Sequence, residues 1–300
     1  MQVALDMLFA FASRAVLGIA LLAVSVTASP AATAPGKTNA TEIVGFPSKD
    51  ADVNGEEPTR LSGRIMRPDG PGPFPAVVML HGCSGLYTKA GALAARHLWW
   101  ARTLREQGYL VLLVDSFGPR GIDEQCSEKD RKVRASVERK RDAWGALDFL
   151  RTRPDVLTDR IAVLGWSQGG GAVLAALSSD RPEPGFRAAV AFYPGCRVSL
   201  SNPDWQPGGP LLILIGEKDD WTPAAPCEEL AGRDSLKDRL ELVVYPNTHH
   251  DFDLPSTPVS KRKGVAVAPT GEVHVGTNET ARADAVARVT AFLAKLLKEG

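Results

Sequence analysis

The sequence predicts an α/β fold with a mostly parallel central sheet and helices on both of its faces. Continuous apolar runs of strand length alternate along the chain with segments whose apolar residues recur at helical spacing. Uninterrupted apolar runs are typical of strands that are covered on both faces, as they are in parallel sheets. The roughly 260 residues after the N-terminal segment suffice for one large domain with a well-buried core.

The first 34 residues have the layout of a secretory signal peptide and a short leader. Arg14 precedes an uninterrupted apolar run, 15–26, and A-x-A-like cleavage sites follow at 26–28 and 32–34. The apolar run is too short to span a bilayer comfortably, so we expect no stable membrane insertion after the signal is removed. Residues 35–300 then form a single domain, which we expect in the periplasm or outside the cell.

Charge narrows the choice of partner. The formal net charge is zero, with 35 basic and 35 acidic side chains, and no basic run is longer than 261–263. A nucleic-acid partner would need a basic surface, which this pattern does not supply. We therefore expect a small-molecule substrate and no nucleic acid, while the sequence leaves the oligomeric state open.

The elements follow from apolar periodicity, capping signals and turn residues. Strands are expected at 41–46 and 60–66, both at the sheet edge, and then at 74–80, 109–114, 161–164, 188–193, 211–215 and 240–245. One helix carries Leu93, Trp100 and Leu104 and ends at Gly108, and the next begins at a capping box, 127–130, and runs to Leu150. A helix at 172–177 follows, and a C-terminal helix is expected to bury Ala285, Val289, Phe292 and Leu296.

A candidate nucleophile lies between the strand at 161–164 and the helix at 172–177, in Gly165-Trp166-Ser167-Gln168-Gly169. In a strand-to-helix turn of this pattern the serine is held in a strained conformation with its oxygen exposed. The flanking glycines let the strand and helix approach closely, and the Gln168 N–H lies at a helix N-terminus facing a developing oxyanion. The alternative is a glycine-rich turn that only packs a helix onto the sheet.

An activated serine needs a base to take its proton and an acid to orient the base, in the chain order serine, acid, histidine. His249 and His250 follow the last predicted strand, and either can be the base. Asp219 and Asp220 follow the strand at 211–215, and spacing alone does not separate them. A loop histidine with a local hydrogen bond and a solvated acidic turn are the structural alternatives.

The second oxyanion donor is expected in the loop after 74–80, which reads His81-Gly82-Cys83-Ser84-Gly85. In such a turn the N–H of the third residue, Cys83, points toward the strand-to-helix turn that carries Ser167, which we call the elbow. His81 and Asp115 are interpreted as structural residues. A metal site at 249–251 is disfavoured because adjacent side chains rarely converge on one ion, and no further ligand cluster is visible. The predicted chemistry needs no cofactor or metal.

Five motifs together resemble the dienelactone hydrolase family of α/β-hydrolases over roughly 60–297; they lie at 81–85, 115–121, 165–170, 216–223 and 250–252. The resemblance implies an α/β-hydrolase fold with Ser167 as nucleophile, Asp219 as acid and His250 as base. The namesake enzymes have a cysteine nucleophile where this chain has Ser167, and a glutamate where it has Gly82. These departures argue against dienelactone itself as the substrate.

Four cysteines in a chain with an export signal permit two disulfides. Cys196 and Cys227 follow strands that are expected to be neighbours, and Cys83 and Cys126 follow successive strands at the same end of the sheet. We favour the pairs Cys83–Cys126 and Cys196–Cys227, with four buried free thiols as the alternative. Cys83 is not expected to be a nucleophile because it lacks an elbow.

The segment 254–278, just after His250, is long for a connection inside a compact domain. Val265 and Val267 alternate with alanines, turn residues follow at 269–272, and alternation resumes at 273–275. This pattern predicts a small β-hairpin beside the mouth of the site, with a disordered surface loop as the alternative.

The expected activity is hydrolysis of a small carboxylic ester or lactone through an acyl-enzyme intermediate. Trp166, Trp221 and Phe117 are candidates to line the pocket, and Arg120 is a candidate to receive a substrate carboxylate. Core aromatic residues and a salt-bridging arginine are the structural alternatives for these four. A peptidase or acyltransferase, or a secreted binding protein with an idle triad, are the functional alternatives. The substrate itself is not determined by the sequence.

Overall fold

The computed structural model describes residues 41–55, 57–268 and 270–299. The predicted signal peptide and leader therefore lie outside the described residues. The strands are β1 (Thr41–Pro47), β2 (Arg60–Met66), β3 (Phe74–Leu80), β4 (Leu110–Asp115), β5 (Val156–Trp166), β6 (Ala188–Phe192), β7 (Leu211–Gly216), β8 (Leu240–Tyr245), β9 (Ser260–Lys263) and β10 (Glu272–Val275). Every strand expected before residue 250 is present, which confirms the reading of the apolar runs.

Strands β1 to β8 form one sheet in the order β1-β2-β4-β3-β5-β6-β7-β8. All neighbours from β4 to β8 are parallel, whereas β1 and β2 are added antiparallel at one side. β1 is an edge strand as expected, but β2 is not, because β4 pairs with its second side. Since the parallel strands share one direction, their carboxyl ends meet at one edge of the sheet, where the connecting loops gather.

The helices cover both faces of the sheet and are α1 (Ala51–Asn54), α2 (Ala95–Glu106), α3 (Lys140–Arg151), α4 (Gln168–Ala176), α5 (Arg197–Ser201), α6 (Ala225–Ala231) and α7 (Glu279–Leu297). α3 and α4 pack on each other and on β3 and β5, while α2 packs on β4 and α7 on β5 to β7. A side-chain hydrogen bond of 3.0 Å from Gln107 to Thr290 joins α2 and α7. None of the helices in the described part of the chain combines the length and the apolar content that crossing a membrane requires.

The C-terminal helix α7 buries a slightly different stripe from the predicted one. Ala285 and Val289 are fully buried as expected, but the stripe continues at Leu293 and Leu297. The buried residues recur every four positions from Ala285, so residues 293 and 297 face the core. Phe292 and Leu296 lie beside this stripe and are only partly buried.

The predicted helix start at the capping box 127–130 is wrong. The Glu124 carboxylate accepts the N–H of Ser127 at 3.3 Å and its hydroxyl at short range, and these bonds fix a turn there. The helical segment begins with a π-turn at Ala135–Arg139 and continues as α3. Its first turn is capped by Glu138, whose carboxylate accepts the N–H of Arg134 at 2.7 Å. Because Ser127 is hydrogen-bonded to Glu124, it does not cap a helix, and the helix begins further along the chain.

The predicted hairpin is present, with β9 and β10 paired antiparallel, but its first strand lies at 260–263 and not at 265–267. Val265 is instead turned inward and fully buried, while Val267 is 47% exposed. The inward side chains form a small apolar cluster, separate from the main core, of Cys83, Cys126, Trp221, Val265, Ala268 and Val273. We call this group the hairpin cluster.

Candidate active site

Ser167 lies in a sharp turn between β5 and α4, with φ 52° and ψ −113°. A positive φ is strained for a residue other than glycine, and such strain is typical of functional turns. A Cβ at Gly165 would lie 2.4 Å from the carbonyl oxygen of Gly169, and one at Gly169 would lie 2.2 Å from that of Leu80. Both positions therefore require glycine, and the close packing fixes the start of α4 against the end of β3.

The carboxylate of Asp219 lies next to the imidazole of His250, with 2.7 Å between Oδ2 and Nδ1. Its Oδ1 accepts the N–H groups of Trp221 at 3.0 Å and Thr222 at 2.8 Å, and the Thr222 hydroxyl donates to Oδ2 at 3.1 Å. These donors fix the carboxylate, which accepts Nδ1–H, and the lone pair of the imidazole is then on Nε2. The buried Nε2 has no hydrogen-bond partner among the described residues.

The loops after β7 and β8 meet because the last residue of β7 is glycine. A Cβ at Gly216 would lie 2.1 Å from the carbonyl oxygen of Thr248, so no side chain fits there. The N–H of Lys218 donates to the same carbonyl at 2.9 Å. This contact brings Asp219 and His250, which follow the two strands, into hydrogen-bonding range.

The end of β6 connects the serine turn to the histidine. The N–H of Ser167 donates to the carbonyl of Phe192 at 2.9 Å. The next residue, Tyr193, places its ring 4.4 Å from the His250 ring, and Trp221 packs on the imidazole at 4.7 Å. The three predicted triad residues therefore lie at the carboxyl ends of β5, β7 and β8, around the end of β6.

The two predicted oxyanion donors belong to segments that adjoin Ser167. Gln168 is the first residue of α4, so its N–H lies at the helix N-terminus. A Cβ at Gly82 would lie 3.7 Å from the Cβ of Ser167, which places the loop that carries Cys83 against the serine. The Gln168 side chain is used elsewhere, donating to the carbonyl of Val133 at 2.7 Å.

The sequence model of the dienelactone hydrolase family matches residues 61–297. The chain belongs to the dienelactone hydrolase family. The motifs that carry the resemblance lie within the matched range, and the eight-stranded, mostly parallel sheet is the one that an α/β-hydrolase fold predicts. This dienelactone hydrolase family member is therefore a hydrolase by family, and its own substrate is a separate question.

Individual relatives support the family and the fold. The Bradyrhizobium protein named "Probable 2-oxo-3-(5-oxofuran-2-ylidene)propanoate lactonase" is 28% identical over 230 residues, covering 71% of this chain and 86% of that protein. Dienelactone hydrolase from Anabaena variabilis is 19% identical with a TM-score of 0.56, covering 86% of this chain and 99% of that one. The dienelactone hydrolase-like promiscuous phosphotriesterase P91, from metagenomic libraries, is 20% identical with a TM-score of 0.58 and the same coverage.

Two disulfides are present in the pairing that the sequence favours. Cys83 and Cys126 are joined with 5.0 Å between their Cα atoms, and Cys196 and Cys227 with 5.2 Å. The described residues contain no free thiol. The first bond ties the loop carrying the predicted oxyanion donor to the segment before α3, and the Cys83 carbonyl also accepts the N–H of Gln125 at 2.8 Å.

Two of the predicted pocket residues are core residues instead. Trp166 is fully buried, and its indole donates to Asp253 at 2.8 Å on the inner side of the elbow. Phe117 is 1% exposed and packs edge-on against His81, with 4.5 Å between the ring centroids. His81 accepts the N–H of Ser116 at 3.2 Å, and burial holds its pKa well below the ordinary value. It is a neutral structural residue, as predicted.

Arg120 is also placed differently from the pocket prediction. Its guanidinium is 2.7 Å from both Asp50 and Asp142, so it closes an ion-pair network between α1 and α3. The salt-bridging alternative therefore holds for this residue. Trp221 is the one of the four that contacts the candidate site, through the His250 ring.

Asp253, a buried carboxylate behind the elbow, was not identified from the sequence. Asp253 is 1% exposed and accepts the indole N–H groups of Trp100 at 2.9 Å and Trp166 at 2.8 Å, and the hydroxyl of Tyr193 at 2.5 Å. Arg96 forms an ion pair with it at 3.3 Å. The signal was present only as an aspartate three residues beyond His250, in a segment read as a loop.

Arg96 and its neighbour His97 bring further ionisable groups into the core. Burial alone would raise the pKa of Asp251, but Arg96, 2.6 Å away, holds it below its ordinary value. Burial and the Arg96 charge lower the pKa of His97 to about 3, so this imidazole is neutral at pH 7. Its ring packs edge-on against Trp166 at 5.2 Å.

A second group of polar side chains includes the chain neighbours of Asp219 and His250. Asp220, His249 and His274 bring their possible ligand atoms within 4.8 Å of one another. His274 lies on β10, and its Nδ1 is 2.7 Å from the Asp220 carboxylate. The sequence could not reveal this cluster, because the three residues come from three separate segments.

A cavity of about 910 Å³ lies elsewhere, between β1 and α3. It is lined by Phe46, Trp144 and Phe149 among others, and by none of the predicted catalytic residues. The candidate active site is separate from this cavity and adjoins the hairpin, where Val275 of β10 forms a bridge with His250.

Proposed function

We propose that this protein is a serine hydrolase that cleaves a small carboxylic ester or lactone through an acyl-enzyme intermediate. The observation that carries the proposal is the buried 2.7 Å contact between Asp219 and His250, at the sheet edge where Ser167 occupies a strained elbow. An orienting acid, a base with a free Nε2 and a strained serine are the parts that nucleophilic acyl transfer needs.

In the proposed mechanism, His250 Nε2 takes the hydroxyl proton as Ser167 Oγ attacks the substrate carbonyl. Asp219 holds Nδ1–H and stabilises the imidazolium that forms. The N–H groups of Gln168 and Cys83 bind the oxyanion, each contributing about 2.7–4 kcal/mol of transition-state stabilisation. His250 then protonates the leaving alcohol, and water repeats the sequence on the acyl-enzyme to release the acid.

Lactones are the favoured substrates within this class. The Bradyrhizobium relative is named as a lactonase and aligns over most of both chains. In lactone hydrolysis the leaving alcohol stays attached to the acyl group, so the pocket holds one compact molecule throughout. With Arg120 committed to Asp50 and Asp142, this site offers no guanidinium at that position for a substrate carboxylate.

Export is the proposed route to the working compartment. The predicted signal peptide and the two disulfides both favour the periplasm or the cell exterior over a reducing cytoplasm. Alkylation of the periplasmic protein without reductant, followed by intact-mass spectrometry, should label no cysteine. The same spectrum should give a mature N-terminus after residue 28 or 34. Four labelled cysteines would contradict the two disulfides, and a mature mass that still includes residues 1–28 would contradict the cleavage of a signal peptide.

Covalent labelling tests the chemistry. A fluorophosphonate should label the wild type once, at Ser167, and Ser167→Ala should abolish both labelling and aryl-ester hydrolysis, with a loss of kcat on the order of 10⁶. His250→Ala should be comparably impaired, while His249→Ala is the matched control and should retain most activity. No labelling of the folded wild type would support a binding protein with an idle triad.

A further inference from the structure

Three side chains that commonly bind transition metals converge beside the candidate active site but take no part in the proposed chemistry. Asp220 follows β7, His249 follows β8 and His274 lies on β10, and their possible ligand atoms all lie within 4.8 Å of one another. Two imidazoles and one carboxylate at such separations are a frequent protein ligand set for zinc-like ions.

The orientation of His249 suits metal binding. Its Nδ1 lies 2.9 Å from the carbonyl oxygen of Lys218, so Nδ1–H donates to that oxygen and Nε2 keeps its lone pair. A backbone carbonyl on the second ring nitrogen is the usual arrangement for a metal-bound histidine, because it fixes the tautomer and the ring. The ring lies 5.1 Å from that of His274, at an angle of 32°.

His274 and Asp220 are already held together. The backbone N–H of His274 donates to Oδ1 of Asp220 at 2.9 Å, and its Nδ1 lies 2.7 Å from Oδ2. These bonds attach β10 to the loop after β7 before any ion binds. The two side chains are 39% and 42% exposed, so an ion can reach them from solvent.

We propose that Asp220, His249 and His274 bind a divalent transition-metal ion of the zinc class, with water completing a tetrahedral shell. Metal–ligand bonds of about 2.0–2.2 Å place tetrahedral ligand atoms roughly 3.3–3.6 Å apart. The ion therefore replaces the proton shared by His274 and Asp220 and opens their 2.7 Å contact slightly, which exposed side chains can accommodate.

The ion would cross-link the loops after β7 and β8 to the hairpin. Asp219 and His250 are the chain neighbours of two of its ligands, yet they keep their own buried contact and are not needed as ligands. A bound ion would therefore hold together the loops after β7 and β8, which carry Asp219 and His250.

Calorimetric titration of Zn²⁺ into the untagged, chelator-treated protein tests the proposal. One ion should bind per chain, and at a hundred times the dissociation constant it should raise the melting temperature by roughly 5–10 °C. His274→Asn keeps a donor to Asp220 but removes the ring nitrogen, and should weaken binding at least tenfold. His249→Asn should do the same. Glu272→Gln, on the same strand as His274, is the matched control and should bind as the wild type does.

A fourth variant separates this site from the catalytic histidine. His250→Gln should retain zinc binding, because His250 is outside the proposed ligand set. The proposal is overturned if the wild type binds no zinc saturably, a result that depends on no variant. It is equally overturned if both asparagine variants bind zinc as tightly as the wild type, or if His250→Gln loses binding while they keep it.

Discussion

Replacing Asp253 with alanine is expected to destabilise the protein severely, because it removes the acceptor for several buried donors at once. Two indole N–H groups and one phenol hydroxyl donate to this carboxylate, which is 1% exposed. Leaving a buried donor without an acceptor costs about 1–3 kcal/mol, so the three together cost roughly 3–9 kcal/mol. Arg96 loses one of its two ion-pair partners as well. This loss is comparable to the whole stability of a typical domain, about 5–15 kcal/mol.

The asparagine variant separates the hydrogen bonds from the charge. Asp253→Asn keeps one acceptor oxygen for the two indoles, and its amide can donate to the oxygen of Tyr193. It still loses the ion pair with Arg96, so we expect an intermediate cost of about 1–3 kcal/mol. The expected order of stability is wild type, Asp253→Asn and then Asp253→Ala.

Urea unfolding followed by circular dichroism, with the disulfides intact, measures these differences. Asp234→Ala is the matched control, because its side chain is 92% exposed and its removal should change the unfolding free energy by less than about 0.5 kcal/mol. If Asp253→Ala lowers the unfolding free energy by under about 1 kcal/mol, the carboxylate does not organise the core behind the elbow and the reasoning is refuted.

Three further predictions concern the acid, the pH dependence of stability and the hairpin. With a chelator present, Asp219→Asn should lower kcat by about 10⁴ and Asp220→Asn only a few-fold, because only Asp219 bonds the imidazole of His250. Equal small losses in both variants would show that the catalytic acid is another residue. The pKa of His97 is lowered to about 3 in the native state, so below about pH 6.5 the unfolded chain binds a proton on this residue and the native state does not. The contribution of His97 to the unfolding free energy is therefore complete above that pH and falls by about 1.4 kcal/mol per pH unit below it. His97→Phe should reduce the measured slope by about this amount in urea titrations between pH 7 and 4, while the buried His81 keeps its own contribution; an unchanged slope would contradict the assignment. Replacing 261–275 by a short Gly-Ser linker should leave cooperative unfolding intact and alter the acyl-chain preference more than the rate on an acetate ester. Unchanged selectivity across a panel of esters would show that the hairpin does not control the access of substrate to the site.

The sheet could be predicted from the sequence because a strand covered on both faces has to be apolar throughout. The runs at 74–80 and 211–215 lie in β3 and β7 for this reason. The serine elbow was equally accessible, since the close approach of strand and helix demands glycine at 165 and 169. Both features depend on neighbours along the chain.

The features that escaped prediction depend on contacts between distant segments or on competition between local ones. Glu124 takes the groups that a cap at Ser127 would have used. Aromatic side chains near a strand end look alike in sequence, although Trp166 faces the core and Trp221 faces the imidazole. The cluster around His274 exists only because the hairpin folds back onto two loops.

The hairpin cluster has a consequence for how this scaffold can diversify. Its apolar residues pack on the Cys83–Cys126 bond and on Trp221, and they form a group apart from the main core under the sheet. Side-chain changes in the hairpin are therefore expected to act on this small group and its disulfide before they reach the main core. An engineered exchange of the hairpin should accordingly leave the eight-stranded sheet in place, which makes the hairpin the part of this scaffold to vary when the proposed substrate range is to be changed.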